Sequence, residues 1–246
     1  MDLKSEVERA VEAGIEPISM DSYQIYSARS LRPLAYRTEL RINSTLTGVL
    51  THAEYDVAAE KSERGILLAE RALKYTVRAI ERYAERGKHV EFISTRCPVS
   101  ILTNTDFVEA LKKAVDGDNR KAAKLCIEFP SNLMYSNPSQ VRPVLEGMRQ
   151  LGVKSMIGDF GGEFCPLMRL GEFPVDFVSL TPQSVNALKD EKTSKSLETM
   201  ISFVRDLRIN VIANVLHTDE EIEFFTHADC YGYCREEEPE PLLGRE

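Results

Sequence analysis

The sequence predicts an α/β protein built as a (β/α)8 barrel. Its 246 residues are many for one average domain but ordinary for a barrel of this kind. From residue 90 onward, short apolar runs alternate with amphipathic stretches of helical length, which is the pattern of parallel βαβ units. A count of about seven or eight strands favours a closed barrel over an open, doubly wound sheet.

The individual elements follow from local patterns. Apolar or alternating runs bounded by turn-forming residues predict strands at 22–28, 34–42, 90–95, 124–129, 153–160, 177–180 and 209–216. Apolar residues at helical spacing predict helices at 2–13, 54–86, 105–115, 139–152, 194–207 and 219–228. Gly65 should bend or break the long second helix, and Gly87 should end it.

The chain has no internal repeat and no linker, so residues 1–246 are expected to form a single domain. Its first helix, within residues 1–14, is stopped by Gly14 and leads into the barrel. Residues 236–246 are rich in Glu and Pro and are expected to be a flexible, solvated tail.

The overall charge excludes some partners. The formal net charge is −8, whereas binding to nucleic acid or to an anionic membrane needs clustered Lys and Arg. No apolar run approaches the roughly 20 residues that cross a bilayer, and the start does not resemble a signal peptide, so we expect a cytoplasmic protein. The five cysteines lack paired spacing, which is typical of reduced thiols and gives no zinc site.

Functional side chains of such a barrel follow the carboxyl ends of its strands. Polar residues at these otherwise apolar positions are the candidates for the site: Arg37, Glu39, Arg41, Arg96, Glu128, Asp159, Ser179 and Asn214. The set is mixed, with three arginines beside only two or three acids. Glu128 lies in an apolar strand, where a buried carboxylate requires a partner.

Several segments, in this order, resemble the EAL domain, a family of barrel phosphodiesterases that cleave cyclic di-GMP with divalent metal ions. The family's opening, "YQPI...EALLR", is similar to SYQIYSARSLRPLAYRTELR, with Gln24 and Arg41 at its glutamine and arginine. Its "LEITESVL" is similar to CIEFPSNL, its "LGVRIALDDFGTG" to LGVKSMIGDFGG, and its "VVAEGVETEEQLEFL" to INVIANVLHTDEEIEFF. The resemblance covers nearly the whole chain and implies a TIM-like (β/α)8 barrel of the EAL type.

The resemblance also implies that most of the phosphodiesterase site has been replaced. Arg37 stands at the glutamate of the "EAL" signature. Arg96 stands at a ligand asparagine, although a gap of two residues would put Ser94 there. Replacements at the catalytic lysine and at further acids and amides are Gly158, Ser179, Thr181, Asn214, His217 and Tyr231. Glu128 and Asp159 keep the acid of the family at their positions.

Two carboxylates cannot hold two hard cations tightly, because each cation needs several oxygen ligands. No metal, cofactor or catalytic residue is therefore expected, and Glu128 and Asp159 are interpreted as remnants of a metal site. We expect Arg37 or Arg96 to form ion pairs with Glu128 or Asp159, so that charge is balanced without metal.

Some of these residues also have purely structural explanations. Asp159 could cap the turn that follows its strand. Arg41 either contacts a nucleotide phosphate, as its match in the family does, or forms a salt bridge with Glu39 at the barrel end. His217 is expected just before a helix rather than as a general base.

Three functions remain open from the sequence. The first is a catalytically inactive, EAL-like regulatory domain that acts through a protein partner. The second is a metal-independent receptor for cyclic di-GMP, in which Gln24, Arg41 and the substituted arginines hold the phosphates. The third is a weak cyclic di-GMP phosphodiesterase. The resemblance further allows a homodimer.

Overall fold

The computed structural model describes residues 18–44, 48–60, 63–104, 106–162, 165–236 and 239–242. Its strands, numbered in chain order, are β1 (Ile18–Ser27), β2 (Pro33–Ser44), β3 (Gly48–Leu50), β4 (Ile93–Arg96), β5 (Leu125–Phe129), β6 (Lys154–Phe160), β7 (Phe177–Leu180), β8 (Asn210–Leu216), β9 (Gly232–Arg235) and β10 (Glu240–Pro241). Its helices are α1 (His52–Glu60), α2 (Glu63–Glu85), α3 (Ile101–Asn104), α4 (Phe107–Ala114), α5 (Asn119–Ala122), α6 (Pro138–Leu151), α7 (Glu191–Asp206) and α8 (Asp219–His227).

Eight of the described strands close a barrel in the order β1-β2-β4-β5-β6-β7-β8-β9, and β9 pairs back to β1. Strand β1 is antiparallel to both of its neighbours, whereas the pairs from β2–β4 to β8–β9 are parallel. The expected TIM-like (β/α)8 barrel is therefore confirmed, with its first strand reversed. The short strands β3 and β10 extend the β1–β2 hairpin beyond the barrel.

The interior of the barrel has an apolar floor with a polar layer above it. Each of the eight strands contributes one residue to the floor, and for β4 this residue, Phe92, comes just before the strand. The eight residues are Ile25, Ala35, Phe92, Cys126, Met156, Phe177, Ile212 and Cys234. Side chains alternate between the two faces of a strand, so the residue two positions further along points into the barrel as well. This periodicity places Arg37, Glu128 and Asn214 in the layer directly above the floor. A larger apolar core fills the space between the barrel and its helices.

The predicted long helix at 54–86 is two helices, α1 and α2. Gly65 lies near their junction, where an added Cβ would overlap the carbonyl group of Ala59, so the two helices can approach closely only at a glycine. Helix α8 begins at the expected place, because Thr218 and Glu221 form a capping box.

The two ends of the chain compare differently with their predictions. The predicted first helix, within residues 1–14, lies outside the described residues. The prediction of a flexible tail is wrong for part of 236–246, because β10 pairs with β1 and Leu242 is buried, donating its backbone N–H to the carbonyl of Met20. Leu242 provides an apolar anchor that the surrounding charges obscured in the sequence. No helix in the described ranges is both long enough and apolar enough to span a bilayer.

Candidate functional site

Four charged side chains from neighbouring strands meet at the carboxyl end of the barrel. Arg37, on β2, donates two hydrogen bonds to Glu128, on β5, from Nε to Oε2 at 2.9 Å and from Nη2 to Oε1 at 2.8 Å. Arg96, on β4, donates from Nη1 to the same Oε1 at 2.8 Å and from Nη2 to Oδ2 of Asp159, on β6, at 2.8 Å. The ion pairs expected between these arginines and acids are confirmed. We call these four residues the arginine–carboxylate cluster.

The charges of the cluster stabilise one another around its one fully buried member, Glu128. Glu128 is 1% exposed, and burial by itself would raise its pKa. The positive charges of Arg37 and Arg96 outweigh burial and hold the pKa of Glu128 at about 2. Burial likewise opposes the charges of both arginines, but the surrounding carboxylates keep the pKa of each guanidinium above its ordinary value. Glu128, Arg37 and Arg96 are therefore all ionised at neutral pH.

Gly158 makes the contact between Arg96 and Glu128 possible. A Cβ at Gly158 would overlap Oε1 of Glu128 and would lie 2.8 Å from Nη1 of Arg96. The resemblance places an aspartate of the family at this position, and such a side chain would occupy the space in which the guanidinium meets the carboxylate. The absence of a side chain at Gly158 is therefore what leaves room for the guanidinium of Arg96.

Helix α1 contributes a carboxylate that the sequence analysis missed. Oδ2 of Asp56 accepts a hydrogen bond from Nε of Arg96 at 2.8 Å, and burial raises the pKa of Asp56 despite the positive charge of Arg96. Nδ1 of His52 lies 2.6 Å from Oε1 of Glu39, and Glu60 accepts from the backbone N–H of Val99 and Ser100 at 2.7 and 2.6 Å. The four-residue spacing of His52, Asp56 and Glu60 was the available signal, since it puts all three on one helix face.

Arg41 is engaged by neighbours in the β1–β2 hairpin. Its Nη2 donates to the hydroxyl of Tyr23 at 2.9 Å, and its Nε lies 2.7 Å from Oδ2 of Asp21. Glu39 is a weaker ion-pair partner, with Oε2 at 4.0 Å from Nη2. The side chain of Arg41 keeps 27% exposure, so it lies at the mouth of the barrel.

Gln24 lies outside the mouth of the barrel, which corrects the prediction that it belongs to the site. Its Nε2 donates to the hydroxyl of Tyr36 at 3.3 Å, and the ring of Tyr36 packs on Tyr83 of α2 with centroids 5.0 Å apart. Neighbouring Tyr23 hydrogen-bonds Glu39 within the hairpin. Because successive side chains of a strand point to opposite faces, Gln24 faces the outer helix while Tyr23 faces the mouth.

Ser179 and Asn214 lie inside the barrel but bond to each other. Nδ2 of Asn214 donates to Oγ of Ser179 and, at 3.0 Å, to the carbonyl of Leu180. Oδ1 of Asn214 and Oγ of Ser94 are buried and have no hydrogen-bond partner among the described residues. Sequence reasoning identified their positions, but no hydrogen bond or ion pair between described residues joins Ser179 or Asn214 to the arginine–carboxylate cluster.

His217 and Tyr231, which the resemblance matches to a glutamate and a glutamine of the family, have structural contacts. His217 is exposed, and its Nδ1 lies 2.7 Å from Oε2 of Glu236, beside the capped start of α8. Tyr231, just before β9, packs edge-on against Phe177 with ring centroids 5.4 Å apart. The partner of His217 is thus a carboxylate on the surface, and this contact brings no nucleophile to its imidazole.

The donor set at the mouth does not suit a pair of divalent cations. Within the described part of the chain, no three His, Cys, Asp or Glu side chains are arranged to hold a metal ion. Both oxygens of Glu128 already accept from guanidinium groups, and Arg96 binds Oδ2 of Asp159. A cation here would have to displace fixed positive charge from the oxygens that would bind it.

The chain is thus a closed α/β barrel with a reversed first strand, and arginines and carboxylates meet at the carboxyl ends of its strands. A family model described as "EAL domain" matches residues 19–234. The chain therefore belongs to the EAL domain family.

Relatives with established names are distant. The cyclic di-GMP phosphodiesterase PdeR of Escherichia coli (strain K12) is 23% identical over 192 residues, which are 76% of this chain and 28% of PdeR. This chain thus spans less than a third of that relative. The solved PaMucR phosphodiesterase in complex with c-di-GMP superposes with a TM-score of 0.82 at 19% identity, covering 100% of this chain and 97% of that one. The FimX EAL domain gives a TM-score of 0.80 at 14% identity, covering 95% and 93%.

Proposed function

We propose that this chain is a catalytically inactive EAL domain that acts in cyclic di-GMP signalling through contact with another protein. The observation that carries the proposal is the arginine–carboxylate cluster, in which Arg37 and Arg96 bind the two acids that match metal ligands of the family. Charge balance at the mouth is thereby achieved by side chains of the protein itself.

The chemistry of phosphodiester hydrolysis supports this proposal. A metal pair would generate the attacking hydroxide and stabilise the charge that develops at phosphorus. At this mouth the guanidinium groups supply positive charge, but they donate to carboxylates and do not coordinate a water and lower its pKa as a metal does. Ser179, at the position of the family's lysine, provides a hydroxyl that accepts from Asn214 and carries no positive charge.

A second candidate function is a metal-independent receptor for cyclic di-GMP. The observation in its favour is that Arg41 and Arg96 lie at the mouth, and guanidinium groups bind phosphate without metal. Against it stand the carboxylates of Asp21, Glu39 and Asp56 beside these arginines, which would repel a dianion. The outward orientation of Gln24 removes one further contact.

Calorimetric titration with cyclic di-GMP, in magnesium and again with chelator, separates these functions when the product is followed by chromatography. For an inactive protein-contact domain we expect no linear product and no heat of binding in either buffer. Binding that is unchanged by chelator and that is lost in Arg41→Ala, but kept in the surface control Arg142→Ala, would establish the receptor instead. Linear product formed only with metal would establish the third function, a weak phosphodiesterase, and would overturn the proposal.

A further inference from the structure

Charge is distributed unevenly around the barrel. Residues 71–124 contain twelve Lys and Arg against seven Asp and Glu, whereas the whole chain has a formal net charge of −8. This stretch runs from α2 through β4 and α4 to α5, and all of these elements lie on one side of the barrel. Without Arg96, which belongs to the arginine–carboxylate cluster, this stretch has eleven Lys and Arg against seven Asp and Glu. This side is therefore locally positive on an acidic protein, and long-range attraction favours acidic partners there.

A cleft opens on the same side, at the amino ends of β4 and β5. Its volume is about 710 Å³, and it lies between the end of α2 and the segment that contains α5. Ile80, Ala84 and Val90 form its apolar part. Its charged rim consists of Glu81, Glu85, Lys88, Asp118, Arg120, Lys121 and Lys124. The arginine–carboxylate cluster is at the opposite end of the strands, so the cleft is separate from it.

Several cations around this cleft are available to a partner. Lys74 and Arg78 do not line the cleft but precede Glu81 on α2 at helical spacing, and Lys113, near the end of α4, precedes the loop that carries Asp118. All three are exposed and make no ion pair within the described part of the chain. Arg120 is 94% exposed and lies 3.5 Å from Asp118. Lys121, in contrast, is held by Glu81 and Asp116 and serves the structure. We call the cleft and its exposed cations the basic face.

We propose that the basic face binds an acidic, amphipathic segment of a partner protein. Apolar side chains of that segment would pack on Ile80, Ala84 and Val90, and its carboxylates would pair with Lys88, Lys113 and Arg120. The inference rests on the proposed function, because it assigns the surface and the chemistry of the protein contact that the function requires.

Other occupants fit the surface less well. A nucleic acid binds mainly through its phosphates and sugars and would leave the apolar part of the cleft, Ile80, Ala84 and Val90, without a partner. A second copy could offer its own acidic α8, but β8 and β9 lie opposite β4 and β5 in the barrel. Such a contact would join opposite sides of successive molecules and form a ring or an open chain rather than a twofold dimer.

The test is fluorescence anisotropy with a labelled helical peptide of Leu and Glu in amphipathic spacing, read at low and at physiological salt. We expect binding that weakens with salt, and a loss of at least about tenfold in affinity for the triple variant Lys88→Glu, Lys113→Glu, Arg120→Glu. The matched control reverses three charges on the other side of the barrel, at Lys189, Lys192 and Lys195, and should bind as the wild type does. Circular dichroism and thermal unfolding check that both triple variants are folded.

Four outcomes would overturn the inference. They are no peptide binding by the wild type, equal loss in both triple variants, undiminished binding of a peptide with Leu replaced by Ser, and preferential binding of a DNA duplex or of anionic vesicles. Sedimentation that shows growing polymers, abolished by the basic-face variant, would instead identify a second copy as the occupant. Hydrolysis of cyclic di-GMP with intact peptide binding would overturn the proposed function and leave the basic face in place.

Discussion

Arg37 and Glu128 face each other inside the barrel with two parallel hydrogen bonds, at 2.9 and 2.8 Å, and Glu128 is almost completely withdrawn from solvent. A buried pair of this kind offsets the large cost of desolvating both charges. Because Oε1 of Glu128 also accepts from Arg96, this carboxylate is the point at which strands β2, β4 and β5 are tied together.

Removing one partner of this pair should be costly. Arg37→Met leaves Glu128 with a single guanidinium, and we expect a loss of about 3 kcal/mol in the free energy of unfolding. The double variant Arg37→Met, Glu128→Leu should recover most of this loss, since Arg96 keeps Asp56 and Asp159. Urea unfolding measures the free energy of unfolding of the single and the double variant. The control Arg142→Met removes an exposed pair with Glu146 and should change stability by less than about 1 kcal/mol. Equal, small effects of Arg37→Met and the control would contradict the structural role of the pair.

Stability should fall in acid because of Glu128. Its folded pKa of about 2 is below the ordinary value of 4.5, so its contribution is fully present above pH 4.5 and is lost as the pH falls toward 2. In this window the wild type should lose stability more steeply than Glu128→Gln, by up to about 1.4 kcal/mol per pH unit for one proton. Urea unfolding at a series of pH values gives the two slopes. Parallel slopes would show that Glu128 is not held ionised.

Gly158 should not tolerate a side chain. In Gly158→Ala the new Cβ would overlap Oε1 of Glu128, and we expect a destabilisation of about 1–3 kcal/mol as the cluster is pushed apart. Gly171→Ala is the matched control, because a Cβ there meets no atom within 4 Å, and it should be nearly neutral. Thermal unfolding compares them, and a neutral Gly158→Ala would mean that the cluster has room to adjust.

Val215 carries backbone strain at the end of β8. Its φ is 54°, in the left-handed region that a β-branched residue rarely adopts. Val215→Asn should therefore raise the free energy of unfolding by about 1 kcal/mol, because Asn tolerates this conformation at a half-buried position. Val49→Asn, an exposed strand position without a positive φ, serves as control and should give no gain. Equal changes at the two positions would argue against strain at Val215.

Much of the fold could be predicted because its signals are local. The 7-residue strand β8 and the capped start of α8 follow from apolar runs and from the spacing of Thr218 and Glu221. The ion pairing of Glu128 could also be predicted, since an acid in an apolar strand needs a positive partner and the resemblance placed arginines nearby.

The sequence by itself determined the barrel and the arginines and acids that follow its strands. The tertiary structure decided which charges meet. The register of the β1–β2 hairpin places Gln24 on the outer face and brings Arg41 into contact with Asp21 and Tyr23. A shift of one residue would exchange the two faces of the strand, because successive side chains alternate between them. The packing of α1 brings Asp56 to Arg96 across 40 residues of chain. Such contacts depend on how distant elements dock, which no local pattern encodes.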